Sequence, residues 1–293
     1  MKAEKSIHLW VEGARPKTIP AAIVPVLVGT AASADSGFIL YRFALALLVS
    51  IALQIGVNYA NDYSDGIRGT DEDRIGPRRL VGSKLVPDWQ VKWASFITFL
   101  VAAIAGLILA LAISLWIVLI GFAAIIAAWF YTGGSTPYGY LGFGEVSVFV
   151  FFGLVATVGS AFVQSEKIEI LPILCGISVG FLATGLLVIN NLRDIASDRE
   201  AGKKTLAVRI GDQATRRLYA FLMLGTVFMY ALIGAIYCYQ ALISLIACPI
   251  AFKLAHQIQI SSENIDLIKA LETTAKFHLV SGVLFAIGLS IGV

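Results

Sequence analysis

The chain alternates long apolar runs with short polar interruptions. About 20 consecutive, mostly apolar residues are what an α-helix needs to cross the ~30 Å hydrocarbon core of a bilayer. Nine such stretches can be laid out, at approximately 18–34, 39–62, 87–111, 114–132, 144–163, 171–191, 213–235, 238–257 and 270–291. The first contains Pro20 and Pro25, and it stays in the set because neighbouring helices can satisfy the carbonyls that a proline frees. The pattern predicts an all-α, polytopic membrane protein with nine transmembrane helices.

Composition agrees. The 293 residues are 58% hydrophobic and 14% charged, whereas charged residues make up about a quarter of a soluble domain. The start, Met1 to Lys17, is polar and mixed in charge, so no removable signal peptide is expected. Cys175, Cys238 and Cys248 lie in apolar stretches without metal-ligand spacing, and His8, His256 and His278 are scattered. Both observations argue against a zinc or haem site.

Charge distribution orients the chain. With the N-terminus in the cytoplasm, Arg42 and Lys167 are the exceptions among 22 lysines and arginines; all others fall in cytoplasmic segments or the adjoining helix ends. The loops 63–86, 133–143 and 192–212 then share the cytoplasmic side, and the C-terminus lies outside.

Two acidic motifs end even-numbered helices on that side: Asn58-Tyr-Ala-Asn61-Asp62-Tyr-Ser-Asp65 and Asn190-Asn191-Leu-Arg-Asp194-Ile-Ala-Ser-Asp198. Carboxylates at the edge of a bilayer are costly without a partner. Residues four apart share a helix face, so Asn58 aligns with Asp62, Asp65 follows within a turn, and Asn190, Asp194 and Asp198 form one stripe along two turns. Such oxygen stripes suit Mg²⁺, which takes carboxylates and substrate phosphates and keeps several waters. Asp71 and Asp73 offer further carboxylates in the first loop. The doubled order of apolar helix, Asn-rich end, acidic motif and basic loop suggests one domain, 1–293, with pseudo-repeat halves at approximately 18–132 and 144–291. The two motifs would then face each other across one cavity.

Basic residues follow each motif: Arg68, Arg74, Arg78 and Arg79 after the first, Arg199, Lys203, Lys204 and Arg209 after the second. Carboxylates holding a metal with Lys and Arg neutralising outer oxygens suit a metal-bridged diphosphate; orientation and lipid headgroups are the other use of such residues. The remaining loop, Tyr131-Thr-Gly-Gly-Ser-Thr-Pro-Tyr138-Gly-Tyr140-Leu-Gly-Phe-Gly-Glu145, has no basic residue. Its glycines permit close approach to a ligand, and Tyr131, Tyr138 and Tyr140 offer hydroxyls and ring faces or an interfacial tyrosine belt. Glu145, at a helix start, reads as a helix-dipole partner.

These motifs resemble the two aspartate-rich motifs of the UbiA superfamily of intramembrane prenyltransferases. Gly13-Ala-Arg15-Pro-Lys17-Thr18, Asn61-Asp-Tyr-Ser-Asp-Gly-Ile-Arg-Gly-Thr-Asp71, Asp73-Arg-Ile-Gly-Pro-Arg-Arg-Leu80 and the Tyr131–Glu145 loop are similar to the branch acting on 1,4-dihydroxy-2-naphthoate in menaquinone synthesis. The resemblance covers nearly the whole chain. In the ubiquinone and haem O branches a third Asp follows four residues after the position of Asp65; here that place is Gly69, and Asp71 takes over.

The resemblance implies a nine-helix bundle around a central cavity, capped on the cytoplasmic side of a prokaryotic plasma or inner membrane. Its substrates would be a polyprenyl diphosphate and 1,4-dihydroxy-2-naphthoate, with Mg²⁺ as cofactor and no nucleic acid. Asp62, Asp65, Asp194 and Asp198 are the expected catalytic acids. Asn58, Asp62, Asp65 and Asp71 would hold one Mg²⁺, and Asn190, Asp194 and Asp198 another. Arg68, Arg74, Arg79, Lys203 and Lys204 are candidates for the diphosphate, the loop tyrosines for substrate contact, and Arg15 or Lys17 for the acceptor's carboxylate. Other acceptors (4-hydroxybenzoate, homogentisate, haem) remain alternatives within the superfamily. An ion-coupled transporter is the rival from another class, and the placement of the acids at helix ends rather than the midplane counts against it.

Overall fold

The computed structural model of the chain describes residues 2–69, 79–260 and 264–293, and every regular element among them is helical. In order these are α1 (Lys2–Gly13), α2 (Pro20–Ala31), α3 (Leu40–Ile67), α4 (Asp88–Ala112), α5 (Trp116–Phe130), α6 (Gly144–Val148) and α7 (Ala156–Ser165). There follow α8 (Ile170–Arg193), α9 (Ile195–Glu200), α10 (Leu206–Ile210), α11 (Asp212–Ile236), α12 (Cys248–Ile260) and α13 (Asn264–Gly292). A π-helical segment, Phe149–Val155, joins α6 to α7 as one 22-residue helix, Gly144–Ser165. A 3₁₀ segment, Tyr239–Ala247, runs directly into α12.

Seven described helices are long and apolar enough to cross a membrane: α3, α4, Gly144–Ser165, α8, α11, Tyr239–Ile260 and α13. The stretches predicted at 18–34 and 114–132 form shorter apolar helices, α2 with 12 residues and α5 with 15. At a 1.5 Å rise per residue they reach about 18 and 22 Å. Pro20 opens α2 in the first turn, where its missing N–H costs nothing.

Three predicted features are corrected. Helix α3 runs to Ile67, not to 62, so the first acidic motif is fully helical. The stripe predicted for Asn190, Asp194 and Asp198 is broken: α8 ends at Arg193, Asp194 turns out of helix geometry at φ −93 and ψ 6, and Asp198 sits on the separate short helix α9. Asp194 is turned because its carboxylate faces back onto the guanidinium of Arg193. The span predicted at 238–257 starts as 3₁₀ helix, since Pro249 in the first turn of α12 can neither donate to Leu245 nor tolerate its carbonyl.

The main core lies in the C-terminal half, where α8, α11, α12 and α13 bury Val179, Leu182, Met223, Tyr230, Leu254 and Phe285, with the Tyr230 and Phe285 rings 4.3 Å apart. Close backbone approach sets the other flank of α8. A Cβ on Gly153 would lie 2.5 Å from the Cα of Gly180 and 2.8 Å from the carbonyl oxygen of Gly176, so the π segment and α8 pack backbone to backbone. On the far side, α3 packs along α4, and α5 leans on both. Only Ala128 of α5 is buried. Between these groups lies a cavity of about 1260 Å³, walled by α2, α3, α4, α5, Gly144–Ser165 and α8.

Candidate active site

One end of the cavity is polar and the rest is apolar. Arg15, Lys17, Asn58, Asn61, Arg79, Tyr131, Tyr138, Asn190 and Arg193 line the polar end, while Leu53, Val57, Leu107, Phe122, Phe151, Phe152 and Phe162 line the wall. The arrangement follows from where the sequence changes character: α3 and α8 are apolar for most of their length and reach their Asn-rich, acidic ends at the same place.

The first motif is built into α3. The amide of Asn58 donates to the Ala14 carbonyl at 2.8 Å and the Thr18 hydroxyl at 3.0 Å, tying the segment before α2 to the bundle. Asn61 accepts from Thr132 at 2.7 Å. Asp62, buried, accepts from the backbone N–H groups of Leu80 and Val81 at 2.9 and 3.0 Å and so fixes the chain just before α4. Asp65 accepts from the Tyr140 hydroxyl and lies 3.4 Å from the ammonium of Lys203.

The second motif meets it from α8 and α9. Arg193 holds Asp194 in a bidentate pair at 2.6 and 2.8 Å and donates to Asn190 at 2.9 Å. Asp198 lies 3.9 Å from Lys203 and accepts from Thr205 at 3.4 Å. Gly202, at φ 73, closes α9 with a six-to-one bond from Lys203 N–H to the Asp198 carbonyl, 2.8 Å, and a five-to-two bond from its own N–H to Arg199. This left-handed cap turns Lys203 back over its own helix. The next residue, Lys204, donates its N–H to the Tyr140 carbonyl at 2.8 Å, docking the turn on the glycine- and tyrosine-rich loop.

The predicted site residues therefore divide into those the fold brings together and those it does not. Asp65, Tyr140, Asp198 and Lys203 form one cluster joining both motifs. Tyr131 and Tyr138 line the cavity with their rings edge to face, 5.5 Å apart. Burial pushes the Tyr138 phenol up, so it stays a neutral hydroxyl that donates to the Ala127 carbonyl and shares a bond with Ser147. Arg68 points to the loop, donating to the carbonyls of Ser64, Thr132 and Gly134. The Lys204 side chain is exposed, and Lys17 is spent on an exposed ion pair with Glu272 at 2.6 Å. Arg15 differs: its Nε and Nη2 are buried without a hydrogen-bond partner among the described residues, on a cavity-lining side chain. Asp71 and Arg74 lie outside the described residues.

Sequence reasoning missed three members. Arg193 reads from sequence only as an orienting charge, although its place beside Asp194 is a signal. Glu145, read as a dipole partner, is buried and accepts from Asn191 at 3.0 Å, its second oxygen without a partner among the described residues. Asn61 lies within the first motif, where spacing alone assigns it no role. Among the described residues, no three of His, Cys, Asp and Glu converge as a ready metal cage.

The model of the UbiA prenyltransferase family matches residues 22–281. A 1,4-dihydroxy-2-naphthoate octaprenyltransferase of Mycobacterium tuberculosis is 44% identical over 290 residues, covering 98% of each chain. Its Escherichia coli counterpart is 38% identical and covers 96% of this chain and 94% of its own. Among solved structures, a UbiA homolog from Aeropyrum pernix K1 superposes with a TM-score of 0.72 at 15% identity, covering 92% of this chain and 96% of the other. One from Archaeoglobus fulgidus, bound to GPP and Mg2+, gives 0.63 at 14% identity over 94% and 99%. With residues of its two aspartate-bearing motifs lining one end of an apolar-walled cavity, the chain belongs to the UbiA prenyltransferase family.

Proposed function

We propose that the chain transfers a polyprenyl group from polyprenyl diphosphate to 1,4-dihydroxy-2-naphthoate, giving demethylmenaquinol, which oxidises to demethylmenaquinone, together with diphosphate and CO₂. Two observations carry this: Asn58 and Asn61 of the first motif and Asn190 and Arg193 of the second line the polar end of one apolar cavity, and Asp65 and Asp198, one from each motif, converge on Lys203. The full-length likeness to naphthoate octaprenyltransferases selects the acceptor.

The donor set fits Mg²⁺. Its ligands are all oxygens, and the acids come in pairs rather than in a closed cage, as suits an ion that takes one or two carboxylates and completes its shell with substrate phosphates and water. Asn58, Asp62, Asp65 and Asp71 would hold one ion, and Asn190, Asp194 and Asp198 another. When bound, the ions neutralise charge on the leaving diphosphate. The protein's own part begins with Arg79, Lys203 and Arg193, which put positive charge beside the motifs, where diphosphate leaves with the electron pair of the allylic C–O bond. Arg15 takes the acceptor's carboxylate with the two buried nitrogens that have no partner among the described residues, and Tyr131 and Tyr138 flank the ring. The ring carbon bearing the carboxylate attacks C1 of the isoprenoid, and loss of CO₂ restores aromaticity. The phenylalanine-rich wall excludes water, which would quench an allylic cation. The tail leaves toward lipid between α5 and Gly144–Ser165, where the cavity-lining Trp116 and Phe122 are also exposed.

In this reading α2 and α5 join the seven long helices to make nine crossings in one domain, 1–293, with pseudo-repeat halves 18–132 and 144–291. The chain is integral to a prokaryotic plasma or inner membrane, its N-terminus and site loops cytoplasmic, forming a cap, and its C-terminus outside. The test is to incubate purified protein with labelled polyprenyl diphosphate, Mg²⁺ and each of four acceptors: 1,4-dihydroxy-2-naphthoate, 4-hydroxybenzoate, homogentisate and haem. Prenylated product and CO₂ in equal amounts are expected with the naphthoate, and loss of turnover in EDTA. Equal turnover with 4-hydroxybenzoate, or undiminished turnover in EDTA, would refute the proposal.

A further inference from the structure

Lys203 is 9% exposed, and its ammonium lies 3.4 Å from Asp65, 3.9 Å from Asp198 and 4.7 Å from the centre of the Tyr140 ring. Its contacts thus span both motifs and include two acids assigned above to the metals. Carboxylates gathered in a poorly solvated place repel one another unless a cation stands among them. A lysine suits that duty as a compact point charge on a flexible stem. Its backbone is fixed, by the Gly202 cap on one side and the Lys204 bond to Tyr140 on the other, so the side chain alone can move.

Resting on the metal-dependent reading above, we propose that Lys203 is a resident counter-cation: it neutralises Asp65 and Asp198 while the site is metal-free and competes with the divalent ion for them. When metal and diphosphate arrive together, the ammonium gives up the carboxylates and turns to phosphate oxygens. The competition keeps free metal from occupying the site tightly before the diphosphate comes. Binding of metal without diphosphate is weakened by Lys203, and binding with diphosphate is strengthened by it.

The experiment uses the purified full-length protein with Mn²⁺ as the probe, its binding followed by electron paramagnetic resonance. Wild type, Lys203→Met, Lys203→Gln and Lys203→Arg are compared, with and without inorganic diphosphate. Without diphosphate, Met and Gln should each bind Mn²⁺ about tenfold more tightly than wild type, within the usual range of coupling between two sites. Arg, which keeps the charge, should stay near wild type. With diphosphate present, the order should reverse. A distorted site would lose metal affinity, so tighter binding cannot come from damage. Unchanged or weaker Mn²⁺ binding in both neutral variants overturns the inference. Absence of Mn²⁺ binding in wild type even with diphosphate overturns the metal reading as well.

Discussion

Arg15 offers the sharpest quantitative prediction. Its guanidinium carries buried Nε and Nη2 atoms without hydrogen-bond partners among the described residues, on a cavity-lining side chain, and its backbone is held at φ 53. Both features cost the empty protein stability: a left-handed non-glycine residue by about 1–2 kcal/mol, and a buried unsatisfied donor by about 1–3 kcal/mol. Replacing Arg15 by Gln keeps the first cost but removes the buried guanidinium behind the second, so it should leave the melting temperature unchanged or raise it. The effect on catalysis is opposite in sign. A hydrogen bond to a charged group contributes about 1.5–3 kcal/mol, which at 1.36 kcal/mol per decade corresponds to about a 10- to 150-fold loss in kcat/KM for the naphthoate. The KM for polyprenyl diphosphate, measured at saturating acceptor, should stay near wild type. Lys17 is the matched control. It is two residues away but paired to Glu272 in solvent, so Lys17→Ala should lose under about 1 kcal/mol of stability and little activity. Steady-state kinetics with each substrate varied in turn, alongside thermal melts in detergent, decide the matter. An Arg15→Gln enzyme with normal acceptor kcat/KM, or with equal losses toward both substrates, would refute the assignment of Arg15 to the carboxylate.

Three further outcomes are expected. Gly202→Ala meets no side chain but forces an alanine to φ 73, so it should cost about 1–2 kcal/mol in a thermal melt and lower turnover by displacing Lys203. Gly153→Ala puts a methyl 2.5 Å from the Cα of Gly180 and should destabilise by about 1–3 kcal/mol through overpacking, measurable in the same melts. Asp62→Asn can still accept at one oxygen but leaves one of the Leu80 and Val81 N–H groups without its carboxylate partner; a loss of about 1–3 kcal/mol together with abolished prenyl transfer is expected, and near-normal turnover with Mg²⁺ would remove Asp62 from the catalytic set.

The helices were legible because burial in lipid imposes a simple rule, a long apolar run between polar ends, and most of the predicted boundaries fall within a few residues of those observed. What the rule does not see is side-chain satisfaction at those ends. Nothing in spacing alone says that Asp194 will leave helix geometry to pair with its own neighbour Arg193, or that the nine residues Tyr239–Ala247 ahead of Pro249 will form a 3₁₀ segment. The depth of the helices was harder still, since α2 and α5 carry the same apolar composition as their neighbours while being shorter.

For the site, spacing in the sequence does not show what each side chain is bonded to. The predicted acids among the described residues are each accounted for by donors within the protein: backbone amides for Asp62, Tyr140 and Lys203 for Asp65, Arg193 for Asp194, Lys203 and Thr205 for Asp198. That is what desolvation demands of any carboxylate near a bilayer, whatever ligand it later takes. A spacing argument treats acids as waiting for a metal; the physics requires that they be paired beforehand, and that the pairing be reversible. Reversibility is written differently at each acid. Asp62 holds two backbone amides, which can follow it only if the chain before α4 shifts, whereas Lys203 needs a side-chain rotation alone. The acids facing Lys203 should therefore be the first released when diphosphate arrives, and those tied to backbone the last.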